Sequence, residues 1–172
     1  MSRVSKVFLA TTLTIGTFIG ISTVNDSIQT AQATEKPYYT YHGYIGKNPS
    51  FLIDRTFINA LKYDNVTING VKLKKTTSAT KIEKFDQIFK GVSSNGKEAN
   101  QVQFLIKNDL SLKSIQKAYG KNLIKKDQTK QSNNSGIFYC QFNKKSLGIW
   151  FVVDNNRVIE VSIGHEPYTT SK

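Results

Sequence analysis

The end of the chain carries three apolar segments in close succession, and this feature limits the fold more than any other. The segments read GIFYCQF, LGIWFVVD and RVIEVSIG. Only the polar runs NKKS and Asn155-Asn156 separate them, and runs this short form tight turns. Each segment is rich in β-branched and aromatic residues, which favour strands. The sequence therefore predicts a three-stranded antiparallel meander.

Turn length sets the predicted register of this meander. The two-residue turn Asn155-Asn156 pairs Trp150 with Val161, and an even-length turn at residues 143–146 pairs Tyr139 with Trp150; an odd-length turn would exchange the faces. One face then carries Ile137, Tyr139, Trp150, Val152, Ile159, Val161 and Ile163. The other carries Phe138, Cys140, Phe142, Ile149, Phe151 and Val158. A sheet that is apolar on both faces needs cover on both, so part of one face is predicted to meet a partner.

Two stretches before the meander have helical spacing. The first helix is predicted from Ser50 to Lys62, and the second from a Ser111 cap to a stop at Gly120. Asn69-Gly70 predicts a hairpin within VTINGVKL. The segment KIEKFDQIFKGV fits either period, and the strand-like QVQFLIK that follows favours a strand.

The predicted fold class is therefore α+β, with an antiparallel sheet, built from the C-terminal meander and hairpins, and two main helices. A helix followed by antiparallel strands occurs twice, which suggests a duplicated unit although the two halves share no residue-by-residue identity.

The first 33 residues have the three parts of a secretory signal peptide. Arg3 and Lys6 form a basic start, residues 7–24 an uncharged apolar run, and Ala31-Gln32-Ala33 a small-residue exit. A membrane anchor is the alternative, but the run is near the lower length limit for a bilayer span and rich in threonine. The predicted organisation is a signal peptide at 1–33 and a single α+β domain at 34–172, secreted and without stable membrane insertion after cleavage.

The excess of lysine is the strongest functional signal. Without residues 1–33 the chain has 22 basic and 11 acidic residues, a net charge of +11, and its only arginines are Arg55 and Arg157. Such a field attracts polyanions such as nucleic acid, anionic cell-wall polymers and acidic lipid surfaces. Lysine lacks the planar fork with which arginine reads guanine, so the composition favours contact with backbone phosphates over sequence readout.

Two groups of lysines are the candidate binding residues. The first is a stripe that follows the second helix into the polar loop after it: Lys113, Lys117, Lys121, Lys125, Lys126 and Lys130. The second lies on or beside the polar face of the Asn-Gly hairpin: Lys72, Lys74 and Lys75. The ordinary alternative for a single stripe of this kind is a solvated helix face.

Four tyrosines stand close together in PYYTYHGYIG, residues 37–46. In a strand, Tyr39 and Tyr41 would point to one side and Tyr38 and Tyr44 to the other, so both sides cannot be dry core. One interpretation is an edge strand with packed rings and wet hydroxyls. The other is direct stacking on a ligand, for which Tyr38 and Tyr41 are the candidates.

The sequence contains no motif for catalysis. His42, His165 and Glu166 are the candidates for a metal site, but their spacing does not require one. No serine or cysteine stands in a nucleophile motif, and no glycine-rich phosphate loop precedes a helix. We therefore predict a non-enzymatic protein without a cofactor or metal, in which the lone Cys140 is a buried, quiet thiol.

Four segments carry a resemblance to a known family. They are PYYTYHGYIG, FINALKYDNV, IQKAYGK and LGIWFVVDNNRVIEVSIGHEPY, in that order, after the Ala-Gln-Ala exit. With them the whole chain resembles the immunodominant staphylococcal antigen B family. The resemblance implies a secreted, non-enzymatic protein of a Gram-positive bacterium, and members of the family are described as binding extracellular nucleic acid without clear sequence preference. It implies no particular binding residue.

The predicted function is thus non-specific binding of DNA or RNA outside the cell, through lysines and with added tyrosine stacking. The alternative is a secreted interaction protein that binds an anionic cell-wall polymer or a host protein, with charge retaining it at the cell surface.

Overall fold

The computed structural model describes residues 36–126, 133–144 and 146–165, all within one unit that spans residues 34–172. The predicted signal peptide lies outside the described residues. In chain order the elements are β1 (Tyr39–Tyr41), α1 (Arg55–Lys62), β2 (Val66–Ile68), β3 (Val71–Leu73), β4 (Lys81–Lys84), β5 (Gln87–Val92), β6 (Glu98–Leu105), α2 (Leu112–Tyr119), β7 (Ile124–Lys125), β8 (Gly136–Gln141), β9 (Gly148–Asp154) and β10 (Arg157–Gly164). Short 3₁₀ turns precede α1 and follow α2. The α+β class is confirmed.

Seven antiparallel strands form the centre of the sheet, in the order β4-β5-β6-β10-β9-β8-β7. Strand β3 joins the beginning of β6 in parallel, and β2 and β1 follow it outward, with β1 parallel to β2. The prediction of an antiparallel sheet is therefore right for the centre and wrong for these two parallel pairs. The last strands of the two halves, β6 and β10, pair with each other at the middle of the sheet.

One face of the central sheet, here called the helix face, is apolar. Six residues lie opposite one another across β4, β5, β6, β10, β9 and β8: Ile82, Phe89, Val102, Ile163, Ile149 and Cys140. All are buried except the half-buried Ile82. Helix α2 packs on this face, because the Tyr119 ring meets the Phe151 ring at 5.3 Å. The Tyr119 hydroxyl also joins α2 to the 3₁₀ turn before α1, by donating to the Leu52 carbonyl at 2.7 Å.

A β-bulge in β10 overturns the predicted pairing of the last two strands. The turn itself is as predicted, but the register shifts between Val158 and Glu160, so Trp150 lies opposite Ser162 rather than Val161. A bulge inserts one extra residue into one strand and bends it. The predicted pairing of Tyr139 with Trp150 is confirmed, because β8 and β9 contain no such shift.

The bulge also changes which residues share a face. Val161 and Ile163 lie on the helix face with Phe151, not on the face of Trp150 as predicted, and Ile159 is exposed. Most of the buried apolar residues of the meander therefore lie on the face that α2 covers. The other face is mixed, and its composition no longer requires the partner that the sequence predicted for it.

The first predicted helix is broken near its middle. Residues Pro49–Ile53 form a 3₁₀ turn, Asp54 is extended with φ −75° and ψ 137°, and α1 begins only at Arg55. The Asp54 carboxylate accepts a hydrogen bond from the backbone N–H of Thr56 at 2.6 Å, which is the contact of an N-cap. A cap requires non-helical backbone, so Asp54 ends one element and starts the next.

The other local predictions are confirmed. Ser111 caps α2 by accepting from the backbone N–H of Ser114, and the helix stops at Gly120, whose φ is 56°. In the Asn-Gly hairpin Ile68 lies opposite Val71. The ambiguous segment forms strands, but two of them, with a turn at Phe85-Asp86 between β4 and β5.

Cys140 is buried on the helix face, as predicted. Burial raises the pKa of its thiol to about 12, so almost no reactive thiolate forms at neutral pH. We expect Cys140→Ser to cost about 1 kcal/mol or more, because it buries a hydroxyl. Urea unfolding measures this cost. Labelling of the native thiol with a disulfide reagent should be far slower than in urea, and rapid native labelling would contradict the assignment.

Candidate functional site

The lysine stripe begins on the exposed side of α2. Lys113 and Lys117 are one turn apart, and Lys121 follows in the 3₁₀ turn after the helix; all three are exposed. Within the described ranges no carboxylate lies within 4 Å of their ammonium groups. The buried residues of α2 are Leu112, Ile115 and Tyr119, so the charges stand on the side of the helix away from the core. These three lysines form an exposed row of positive charge that no carboxylate in the described part of the chain neutralises.

The stripe divides at β7. Lys125 lies opposite Phe138 on the helix face, with its Nζ 6.0 Å from the centre of that ring. Lys126 points to the opposite face, where its Nζ lies 5.2 Å from the centre of the Tyr139 ring. Consecutive residues of an extended chain point to opposite faces, so Lys125 and Lys126 do not belong to one continuous stripe as predicted. Lys130 lies outside the described residues.

The second group of lysines lines part of a polar cleft. Lys72 is on the exposed side of β3, and Lys74, directly after the strand, forms a 2.9 Å ion pair with Glu98. Lys74, Lys75 and Glu98, with six serine and threonine side chains, line an open cleft of about 530 Å³. Hydroxyl and ammonium donors suit phosphate or carboxylate oxygens. The Glu98 carboxylate already neutralises one ammonium, so this group is the weaker anion site.

The tyrosine stretch forms an edge strand with packed rings. Tyr39 and Tyr41 both stack on Phe51, at ring-centre distances of 5.6 and 4.5 Å. Burial, with Asp54 and Tyr41 nearby, raises the pKa of Tyr39 to about 12, so its hydroxyl stays neutral. One ring face of Tyr41 is therefore already occupied, whereas Tyr38 is exposed. Of the two predicted stacking residues, only Tyr38 presents an open ring.

Sequence reasoning missed an exposed pair of aromatic residues, here called the aromatic corner. It consists of Tyr44 and Phe85, whose ring centres are 5.1 Å apart and whose planes are nearly perpendicular. Phe85 occupies the turn between β4 and β5. The sequence contains one signal for this pair. In KFDQ, which separates two strand-like segments, an aromatic residue stands beside aspartate at a turn position that small polar residues normally occupy.

The sheet face opposite the helix face combines aromatic and polar side chains. The Tyr139 and Trp150 rings lie 4.6 Å apart, and a side-chain carbon on Gly148 would come within 2.8 Å of both. The two rings therefore occupy the space above that glycine. Trp150 is only 7% exposed, so it contributes to packing rather than to an open surface.

Among the described residues, no three His, Cys, Asp or Glu side chains are grouped to hold a metal ion. The His165 Nε2 lies 3.4 Å from the Asp64 Oδ2, and His42 is exposed beyond β1. Glu166, the third candidate, lies outside the described residues. None of the helices in the described part has the length and apolarity that a bilayer span needs.

Comparison with known proteins identifies the family. The family model described as immunodominant staphylococcal antigen B matches residues 38–163. The chain belongs to this family. Proteins named immunodominant staphylococcal antigen B from Staphylococcus aureus strains USA300 and NCTC 8325 / PS 47 are each 58% identical over 175 residues, covering all of both chains. No solved structure matches the chain.

The resemblance predicted from the sequence is thereby confirmed. The family name describes an antigen and indicates no reaction, so membership places the protein among antigens and adds nothing about catalysis.

Proposed function

We propose that the protein is secreted as residues 34–172 and binds extracellular nucleic acid, largely without sequence preference and without catalysis. The observation that carries the proposal is the row of exposed lysines Lys113, Lys117 and Lys121, which have no acidic partner within 4 Å among the described residues. Residues 34–172 as a whole have a net charge of +11. Uncompensated ammonium groups bind backbone phosphates by releasing condensed counterions, a contribution that does not depend on sequence. The scarcity of arginine supports the same conclusion, because base-edge readout relies on its bidentate fork.

The geometry favours positioning of phosphates over reading of bases. In a phosphate-binding surface, charges point outward and need little rigidity, and a lysine ammonium on a four-carbon stem meets that need. A sequence-specific reader instead holds several donors in fixed positions inside a groove.

Binding should therefore be similar for nucleic acids of unrelated sequence. Fluorescence anisotropy on a panel of labelled 25-mers of equal length, at one salt concentration, measures this directly. We expect dissociation constants within about tenfold of one another. A preference above about a hundredfold for one sequence, roughly 2.7 kcal/mol, would show a specific reader and would overturn the proposal.

Competition distinguishes nucleic acid from the other polyanions. Unlabelled duplex DNA, single-stranded DNA, RNA and a purified anionic cell-wall polymer each compete with one labelled oligonucleotide, at two salt concentrations. Nucleic acid should compete best per unit of charge. If the wall polymer competes better at both salt concentrations, the protein is an envelope-binding protein. Mass spectrometry of the protein from culture medium tests secretion, with Thr34 expected as the first residue.

A further inference from the structure

The aromatic corner exposes two large rings side by side. Tyr44 is 59% exposed and Phe85 is 58% exposed, and the edge of one ring meets the face of the other. Single exposed apolar residues are common on protein surfaces, but adjacent ones commonly mark a binding site. This pair takes no part in the hydrophobic core, to which Tyr39 and Tyr41 contribute.

The turn that carries Phe85 is strained and firmly held. Phe85 has a φ of 57°, in the left-handed region that bulky side chains rarely adopt. The carboxylate of the next residue, Asp86, accepts hydrogen bonds from the backbone N–H groups of Ile45 at 2.9 Å and Gly46 at 2.8 Å. These bonds tie the turn to the segment that carries Tyr44. Asparagine or glycine would make the turn with less strain, so the ring is retained at a cost, and such costs concentrate at functional sites.

Three lysines lie near the corner, along the chain or through a backbone contact. Lys84 directly precedes Phe85, and its Nζ donates to the Asn69 carbonyl at 3.4 Å; Lys47 follows Gly46 in the chain. The backbone N–H of Lys107 donates to the Gly46 carbonyl at 2.8 Å, so the backbone of a third lysine lies beside the segment that carries Tyr44. The Asp86 carboxylate faces inward to its hydrogen bonds. The corner therefore joins exposed ring surfaces to positive charge, which complements a ligand with flat apolar parts and a regular row of anions.

We propose that Tyr44 and Phe85 stack on unpaired bases of single-stranded nucleic acid while the lysines beside them bind its phosphates. This deepens the proposed function and rests on it. Aromatic side chains stack on bases regardless of sequence, because every base has a π-face, and each stacked base adds about five- to 150-fold in affinity. A duplex hides those faces. The corner thus gives the protein a preference for single strands that its lysines alone would not provide.

The test compares the mature protein with the double variant Tyr44→Ser/Phe85→Asn. Asparagine tolerates the left-handed turn, so the variant is expected to fold, and thermal unfolding checks this. The matched control is Tyr63→Ser, which removes an exposed tyrosine elsewhere. Anisotropy with a 20-nucleotide poly-dT strand and a 20-base-pair duplex gives the two affinities. We expect at least a tenfold loss for the single strand, less than a threefold loss for the duplex, and no change in the control.

The other outcomes have distinct meanings. If the wild type binds neither probe, the proposed function fails. If it binds both and the double variant is unchanged, or loses both equally, the function stands and base stacking is overturned. Binding of the wild type and the double variant to vesicles in which one lipid in four is phosphatidylglycerol is measured in parallel. A variant that loses only vesicle binding would make the corner a membrane contact and overturn stacking.

A second variant reports on stacking directly. Phe85→Trp retains a ring at the corner, and stacking on thymine should quench its fluorescence on titration with poly-dT but not with duplex. The buried Trp150 supplies a constant background, measured in the wild type. Equal quenching by both probes, or none, would contradict the proposal.

Discussion

Replacement of Lys113 and Lys117 by glutamine is expected to flatten the salt dependence of DNA binding by up to about two units in a plot of log affinity against log salt. Each phosphate neutralised on a duplex contributes about 0.9 to that slope, and each on a single strand about 0.7. Between 50 and 200 mM salt, two lost contacts correspond to about a tenfold smaller change in affinity. Both side chains are exposed on α2, and glutamine retains helix propensity, so the fold should be unaffected.

A matched control distinguishes direct phosphate contacts of Lys113 and Lys117 from the effect of the net charge of the chain. Lys36 and Lys144 are also exposed, and neither belongs to the two lysine groups or to the aromatic corner. Their replacement by glutamine removes the same two charges, and we expect little change in slope. Equal behaviour of the two double variants would mean that the charge acts as a diffuse field. An unchanged slope in the Lys113/Lys117 variant would remove α2 from the site even if the protein still binds DNA.

Phe151→Ala should be among the most destabilising single changes in the protein. The side chain is fully buried at the middle of the helix face and contacts the Tyr119 ring of α2. Truncation removes a large apolar group and leaves a cavity that a sheet cannot easily close, at a cost of about 3–5 kcal/mol. A typical domain has about 5–15 kcal/mol of stability in total, so the variant should unfold at a much lower urea concentration.

Ile159→Ala is the control for this change and tests the bulge as well. The register predicted from the turn alone places Ile159 on an apolar face, whereas the bulge leaves it exposed. We expect an effect within about 0.5 kcal/mol, as for a surface substitution. A cost comparable to that of Phe151→Ala would show that the strand does not bulge at this position.

Local patterns in the sequence account for most of the secondary structure. The Asn-Gly pair predicts a turn because both residues accept positive φ, and Ser111 predicts the start of α2 because its hydroxyl replaces a missing backbone acceptor. Alternation places Cys140 in the core without knowledge of what covers it. These properties depend on neighbours within a few residues, so the sequence alone contains them.

The candidate site was predicted only in part. The exposed lysines of α2 follow from helical spacing, and the split between Lys125 and Lys126 follows from a short strand that the sequence did not reveal. Tyr41 was a stacking candidate because nothing in the sequence shows that Phe51, across a turn and a loop, occupies its ring. The aromatic corner was missed because Tyr44 and Phe85 are far apart in the chain and meet through the hydrogen bonds of Asp86.

The two helices, most of the strands, several of the turns and the excess of positive charge can be read from the order of the residues, since each reflects a short-range preference or a simple count. The parallel junction of β3 with β6, the bulge in β10 and the meeting of Tyr44 with Phe85 depend on contacts between distant segments. The alternation of apolar and polar residues assigns side chains to the two faces of a sheet only where the strand pairs without a bulge. The pairing of β10 with both β6 and β9 places Val161 and Ile163 in the core, and the extra residue Ile159 is left outside it.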